Sequence, residues 1–220
     1  MSSERKKINR NSIIRLTQYK NMLHRLKALG FERIFSDNLA EAVGVTASQV
    51  RRDLGFFQLT GNKRGGYDID TLIARLRHLL GKHTIQKVVV IGIGNVGRAL
   101  MNHREFEKES IRIVAGFDAD KAKWDSRARI PILSLEKLKT YLNQHDIRIA
   151  VVCVPEAAAQ EVVDRMHDTP VKGILNFAPV RLKPYPGCVI RNVNIGLELE
   201  TVIYFVNAEE KAAPACEPLI

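Results

Sequence analysis

Cysteine is scarce in this chain of 220 residues: there are three, Cys153, Cys188 and Cys216. That number and spacing offer neither a disulfide framework nor the paired ligands of a zinc site. Long apolar runs are missing as well. The longest, around Val88–Ile93 and Ile149–Val154, fall far short of the roughly 20 residues a membrane helix needs. The opening Met1-Ser-Ser-Glu-Arg-Lys-Lys7 lacks the apolar segment of a secretory signal. With 14 Gly and 8 Pro there is no collagen-like or low-complexity composition. These absences lead us to expect a cytoplasmic protein with no membrane segment and no metal centre. What remains, 45% hydrophobic and 26% charged residues, is ordinary globular composition, and the length allows two small domains.

Charge is unevenly placed. Residues 1–81 hold 15 Lys/Arg against 7 Asp/Glu, a net of +8, whereas residues 82–220 hold 19 against 17, a net of +2. A basic N-terminal third beside a near-neutral remainder fits one module that meets a polyanion and another with a different task. A merely soluble basic surface is the plainer alternative.

Hydrophobic periodicity divides the chain in the same place. Ile13, Leu16, Tyr19, Leu23 and Leu26 recur at helical spacing, and the run closes on Gly30. A short helix opens at Ser36 or Asp37 and turns at Gly44. Thr46 followed by Gln49 then reads as a capping box that opens a helix to about Phe57. A basic hairpin-like stretch, Gly61 to Tyr67, precedes another amphipathic helix that ends at Gly81. Beyond it the pattern changes to apolar strands alternating with helices: strand Lys87–Ile91, helix Arg98–Glu107, strand Ile111–Phe117, helix Leu133–His145, strand Ile149–Val154, helix Ala157–His167, and strands Gly173–Phe177 and Val189–Val193. Such an order predicts a parallel sheet with helices on both faces. The greasy tail from Leu197 to about Asn207 carries more apolar side chains than an isolated helix can leave in water. We therefore expect three parts: residues 1–81, 82–196 and 197–220.

In the capped helix, Ala47, Val50, Leu54 and Phe57 share one face and should pack. Ser48 and Arg52 point the opposite way, flanked by Gln49 and Arg51. A helix-turn-helix places such residues in the major groove, where Arg can bond guanine in a fork and Gln can read adenine. Lys63 and Arg64, at the tip of the hairpin, would serve as a wing on phosphates or in the minor groove. The alternative is a solvated polar face in a plain three-helix bundle.

In the second part, Gly92-Ile93-Gly94-Asn95-Val96-Gly97 is G-x-G-x-x-G, placed after an apolar strand and opening a helix, the context its chemistry requires. The first glycine makes the turn, the second lets backbone approach a pyrophosphate, and the third lets helix and strand pack. The N–H groups at the start of the helix face the anion. Asp118 ends the next strand 21 residues beyond the last glycine, where a carboxylate accepts ribose hydroxyls and repels a 2′-phosphate. The expected cofactor is NAD(H). Apolar loops after later strands, Val154-Pro155 and Phe177-Ala178-Pro179, offer no His, Lys or Tyr for proton transfer, so no catalytic turnover is expected. His145 and His167 read as surface residues, and Cys153 as a small core residue. Two rivals remain: an oxidoreductase with a basic appendage, and a DNA-binding regulator that is constitutive or senses another nucleotide, such as a CoA derivative.

Together these parts resemble the Rex family of redox-sensing transcriptional repressors, from about Ile13 to Asn207. The stretches that carry the resemblance are Gly44-Val-Thr-Ala-Ser-Gln-Val-Arg-Arg-Asp-Leu54, Gly66-Tyr67, the strand with Gly92–Gly97, Cys153-Val-Pro155, Lys172-Gly-Ile-Leu-Asn-Phe-Ala-Pro179 and Asn192-Val-Asn-Ile-Gly-Leu-Glu-Leu199. The resemblance implies an α/β protein with an N-terminal winged helix-turn-helix domain, a Rossmann-type domain and a C-terminal helix exchanged between the subunits of a homodimer. It also implies binding of double-stranded operator DNA while NAD⁺ predominates or the site is empty, and release by NADH. Apart from the resemblance, the partner subunit's Ile195 is expected to join Val154, Pro155, Phe177, Ala178 and Pro179 in an apolar nicotinamide pocket. Two positions depart from the family pattern. Asn194 stands where members commonly carry Asp, and His103 where they often carry Tyr. In the family these positions couple the nicotinamide to an Arg of the N-terminal helix, for which Arg15 or Arg10 is the candidate here.

Overall fold

A computed structural model describes residues 9–62 and 65–212, with side chains to residue 208. The chain divides into two compact units, Met1–Thr84 and Ile85–Ile220.

The first unit runs α1 (Arg10–Ala28), β1 (Arg33–Ile34), α2 (Ser36–Val43), α3 (Ala47–Phe56), β2 (Tyr67–Asp68) and α4 (Ile69–Leu79). Apolar residues at 3.6-residue spacing face inward from every helix: Leu16, Tyr19 and Leu23 of α1, Leu39 of α2, Val50 and Leu54 of α3, and Leu72 and Leu76 of α4 form one core. Ile13, expected on that stripe, stays 37% exposed one turn before the core begins. β1 and β2 pair antiparallel, Arg33 opposite Asp68 and Ile34 opposite Tyr67. Asn62 and Gly66 exchange two backbone hydrogen bonds, at 2.8 and 2.9 Å, and close the hairpin that precedes β2. Three helices and a hairpin in this order make a winged helix-turn-helix.

The second unit is a six-stranded, wholly parallel sheet. Its strands are β3 (Gln86–Ile91), β4 (Ile111–Asp118), β5 (Ile132–Ser134), β6 (Ile149–Val152), β7 (Gly173–Asn176) and β8 (Val189–Asn192), in spatial order β5-β4-β3-β6-β7-β8. That is the 3-2-1-4-5-6 arrangement of dinucleotide-binding sheets, with the switch point between β3 and β6. The helices are α5 (Asn95–Met101), α6 (Glu105–Lys108), α7 (Leu138–Gln144), α8 (Glu156–Arg165) and α9 (Ile195–Ala212). Val89, Ile91, Phe117 and Val152 pack with α7 and α8 through Leu138, Leu142, Val162 and Val163. Val88, Val90 and Val151 form a smaller cluster with Ile93 and Met101 of the α5 side. A central strand buried on both faces explains why Val88–Ile91 is a continuous apolar run rather than an alternating one.

Two expected helices are corrected. The span Leu133–His145 is a short strand, β5, then a 3-10 turn at Leu135–Lys137, and only then α7. Leu135, Leu138 and Leu142 carry a helical period that masks three extended residues paired to β4 through Gly116, Phe117 and Asp118. The span Arg98–Glu107 is broken between α5 and α6 at Asn102–Arg104, where the weak helix formers Asn102 and His103 interrupt the run. No helix among the described residues is long and apolar enough to cross a membrane.

Candidate DNA interface and nucleotide site

On α3, the Thr46 hydroxyl accepts the Gln49 N–H at 3.2 Å and caps the helix. Only half of the expected capping box forms. The Gln49 amide turns instead to Asp53, donating to Oδ1 at 2.8 Å. Ser48, Arg51 and Arg52 are exposed, whereas Gln49 is half-buried. Arg51 donates to Ser36 Oγ at 2.9 Å and lies 3.7 Å from Asp37, so its guanidinium sits at the start of α2. Arg52 has no partner among the described residues. Lys63 and Arg64 lie outside the described residues.

Sequence reasoning misses the residue that fastens this helix. Asp53 is 4% exposed and accepts four hydrogen bonds. Arg15 donates through Nε at 2.5 Å and through a terminal nitrogen at 2.8 Å, the Tyr19 hydroxyl at 2.9 Å, and Gln49 as above. Burial, the strongest single influence, pushes the carboxyl up. The donors from Arg15, Tyr19 and Gln49 together outweigh it and hold Asp53 below its ordinary value. Asp53 stands three residues after Val50 on the packed face, and that spacing is the signal that could have found it. Arg15, the candidate coupling arginine, is thus committed to α3 within its own unit.

In the second unit the three glycines occupy three different surroundings. Gly92 has φ +90°, and a Cβ there would lie 2.7 Å from the Cys153 carbonyl group. A Cβ on Gly97 would lie 2.1 Å from the Gly92 oxygen. At Gly94 a Cβ would meet nothing within 4 Å. Two glycines are therefore needed for packing, and the third leaves backbone bare on an open side, the cradle a pyrophosphate fits. Because α5 has only seven residues, an anion placed there would meet backbone N–H groups of the turn more than a long helix dipole. Asn95 and Val96 are exposed, while the Ile93 side chain is buried in the core at 1% exposure. Ile93 contributes its N–H, which donates to Asp118 Oδ2 at 2.7 Å.

Asp118, 8% exposed, also accepts Lys123 Nζ on Oδ2 at 3.0 Å and the Asp120 N–H on Oδ1 at 2.9 Å. Burial pushes this carboxyl up, but the three donors prevail and hold it below its ordinary value. Lys123, which nothing in its polar surroundings marks in the sequence, is thus brought to the candidate site through its contact with Asp118.

At the C-terminal edge of the sheet, Val154 and Phe177 are half-buried, Ala178 is buried, and Pro155 and Pro179 are exposed. Asn176 shapes the second of these loops: fully buried, it donates to the Val180 carbonyl at 2.8 Å and Asn192 Oδ1 at 2.9 Å, and accepts the Ala178 N–H at 2.9 Å. Burial pushes the Cys153 thiol up to about 11, which leaves little thiolate for redox chemistry. His103 is exposed with its ring against Phe106, His145 stacks on Tyr141, and His167 pairs with Asp168. Among the described residues no group of three or more His, Cys, Asp or Glu could hold a metal ion. Asn194 accepts the Leu197 N–H at 3.1 Å and so caps α9, whose Ile195, Leu197, Leu199, Val202, Ile203, Tyr204, Phe205 and Val206 are all about half exposed or more.

Known proteins combine the same two units. Residues 7–55 match the family model "Putative DNA-binding protein N-terminus", and residues 83–180 match the model "CoA binding domain". Redox-sensing transcriptional repressor Rex of Lactobacillus acidophilus is 36% identical over 94% of this chain and 99% of its own length. The Rex of Oenococcus oeni is 36% identical over 94% of this chain and 97% of its own. Among solved structures, the Rex-family repressor RSP in complex with beta-NAD⁺ and operator DNA shares 32% identity and a TM-score of 0.87, covering 94% of this chain and 99% of that one. RSP in complex with beta-NADH gives 32% identity and a TM-score of 0.82, over 94% and 97%. With a winged helix joined to a dinucleotide-type sheet, and relatives above 30% identity across nearly its whole length, the chain belongs to the Rex family of redox-sensing transcriptional repressors.

Proposed function

We propose that this chain is a homodimeric repressor that binds operator DNA through residues 1–81 and NAD(H) through residues 82–196, with NADH weakening operator binding. One observation carries the reading: a single chain joins an α3 that presents Ser48, Arg51 and Arg52 outward to a 3-2-1-4-5-6 sheet whose glycine turn sits at the switch point. Arg52 is suited to a base edge, and Arg51, held at the start of α2, to a phosphate. Lys63 and Arg64 act as the wing. NAD(H) is held by the Gly92–Gly97 turn and Asp118, with Val154, Pro155, Phe177, Ala178 and Pro179 around the nicotinamide and Ile195 contributed by the partner subunit. An apolar wall of this kind prefers neutral reduced nicotinamide to the oxidised cation. The tail beyond residue 196 makes the dimer. Apolar side chains around much of α9 suit a helix buried between subunits, and exchange of α9 would bury them.

These loops supply no proton donor, which favours a regulator over an oxidoreductase. Fluorescence anisotropy of a labelled operator, titrated with NADH at fixed salt, tests the reading: NADH releases the DNA and is not consumed with small carbonyl compounds. DNA retained at saturating NADH would contradict it. A second reading, sensing of a CoA derivative, has in its favour the match of residues 83–180 to a CoA binding domain. Release by CoA but not by NADH in the same titration would select it.

A further inference from the structure

The carboxylate that ends β4 faces a cation of its own chain. Lys123 Nζ lies 3.0 Å from Asp118 Oδ2, and the two side chains are 32% and 9% exposed. The lysine is fixed rather than free. It closes the 3-10 turn Lys121–Lys123, which Asp120 caps by accepting the Ala122 N–H at 3.0 Å. Immediately after it, the Trp124 indole N–H donates to the Asp118 carbonyl at 2.9 Å. Segment 118–124 thus folds back on itself and returns an ammonium group to the carboxylate that begins it. The other charges on this turn, Asp120 and Lys121, are of opposite sign and exposed.

We propose that Lys123 sets how strongly the adenosine end of the site rejects a ribose 2′-phosphate, by neutralising Asp118. This rests on the NAD(H) reading above. An unpaired Asp118 would repel a 2′-phosphate through a full negative charge in a confined place. Paired with Lys123, the site is locally neutral. Selection for the free 2′-hydroxyl then comes from the lone pair that Asp118 still offers to a hydroxyl donor, which a phosphate cannot satisfy. The two residues therefore pull nucleotide preference in opposite directions. Removing the ammonium restores the full repulsion, and removing the carboxylate leaves a cation suited to phosphate.

The test uses the full chain and the quenching of Trp124, the single tryptophan, with calorimetry as a second readout. NADH and NADPH are each titrated against wild type, Lys123→Met and Asp118→Asn. The ratio of NADH to NADPH affinity rises about tenfold in Lys123→Met and falls about tenfold in Asp118→Asn, as expected for one charge at close range under partial screening. A ratio within twofold of wild type in the well-folded Lys123→Met protein overturns the proposal, even if Asp118→Asn disturbs the glycine turn. NADH that fails to bind wild type would overturn the cofactor reading and this inference with it. NADH that binds while the ratio stays fixed overturns this inference alone.

Discussion

Among the described residues each unit buries one carboxylate, Asp53 in the first and Asp118 in the second, and their partners differ in kind and number. Asp53 takes four donors from the side chains of Arg15, Tyr19 and Gln49, two on each oxygen. Asp118 takes three, from two backbone N–H groups and Lys123, and Oδ1 keeps capacity to spare. A carboxylate accepts about four hydrogen bonds, so Asp53 is saturated and Asp118 is not. The saturated group clamps α1 to α3 and so orients the helix proposed for DNA. The unsaturated group braces the glycine turn while leaving room for one more donor, as a ribose hydroxyl requires.

Removal of the saturated carboxylate should have the largest effect. Asp53→Ala strands the Arg15 guanidinium and the Tyr19 hydroxyl and should cost the first unit about 3 kcal/mol in urea unfolding. The same clamp has a pH signature. The Asp53 carboxyl sits below its ordinary value when folded, so its contribution is present above the ordinary carboxylate range. It is lost as the pH falls from about 4 through the lower folded value. Asp118 follows the same sign in the second unit. An Asp53→Asn protein whose acid unfolding matches wild type would contradict the clamp.

Next in size is the contrast between glycines. Gly97→Ala forces a methyl to 2.1 Å from the Gly92 oxygen and should destabilise the second unit by about 2 kcal/mol. Gly94→Ala meets open space, so thermal unfolding should shift little while NADH affinity drops about tenfold or more. Equal losses of stability in both variants would remove the distinction between packing and ligand approach.

On the DNA side, Arg52→Ala should cost about 1–3 kcal/mol at the operator and relax the preference at one base pair per half-site. Replacing Lys63 or Arg64 should instead weaken all sequences alike and flatten the salt dependence. Unchanged operator affinity in Arg52→Ala would take α3 out of recognition.

The smallest expected effect lies at Asn194. Its amide caps α9 without charge, whereas an aspartate would cap equally well and also carry charge to share with an arginine. We expect Asn194→Asp to enlarge the NADH-dependent loss of operator affinity by about tenfold, or about 1.4 kcal/mol, read as the change in operator affinity with NADH. The effect should be clearest combined with His103→Tyr. No change in the NADH response would place Asn194 outside the coupling.

Much of the fold, and the placement of the candidate site residues on it, is legible in the amino-acid sequence. The α1 stripe, the Thr46 cap, the glycine turn after its strand and the carboxylate at Asp118 follow from period, capping chemistry and spacing. What escapes is of two kinds. β5 is only three residues long and runs into a leucine pattern of helical period, so periodicity favours the wrong element there. Asp53 and Lys123 are charged residues in charged surroundings, Arg51-Arg52-Asp53 and Asp120-Lys-Ala-Lys123. Composition reads both as solvated; the three-residue step from Val50 marks Asp53 for the packed face, whereas only the fold turns Lys123 back onto Asp118.

If the two units share one equilibrium, their ligands are linked. If NADH weakens operator binding by some factor, the operator must weaken NADH binding by the same factor. NADH affinity is to be measured through Trp124 with and without saturating operator duplex, at one salt concentration. NADH should bind more weakly in the presence of operator, by the factor found in the reverse titration. Identical NADH affinity with and without operator would contradict it.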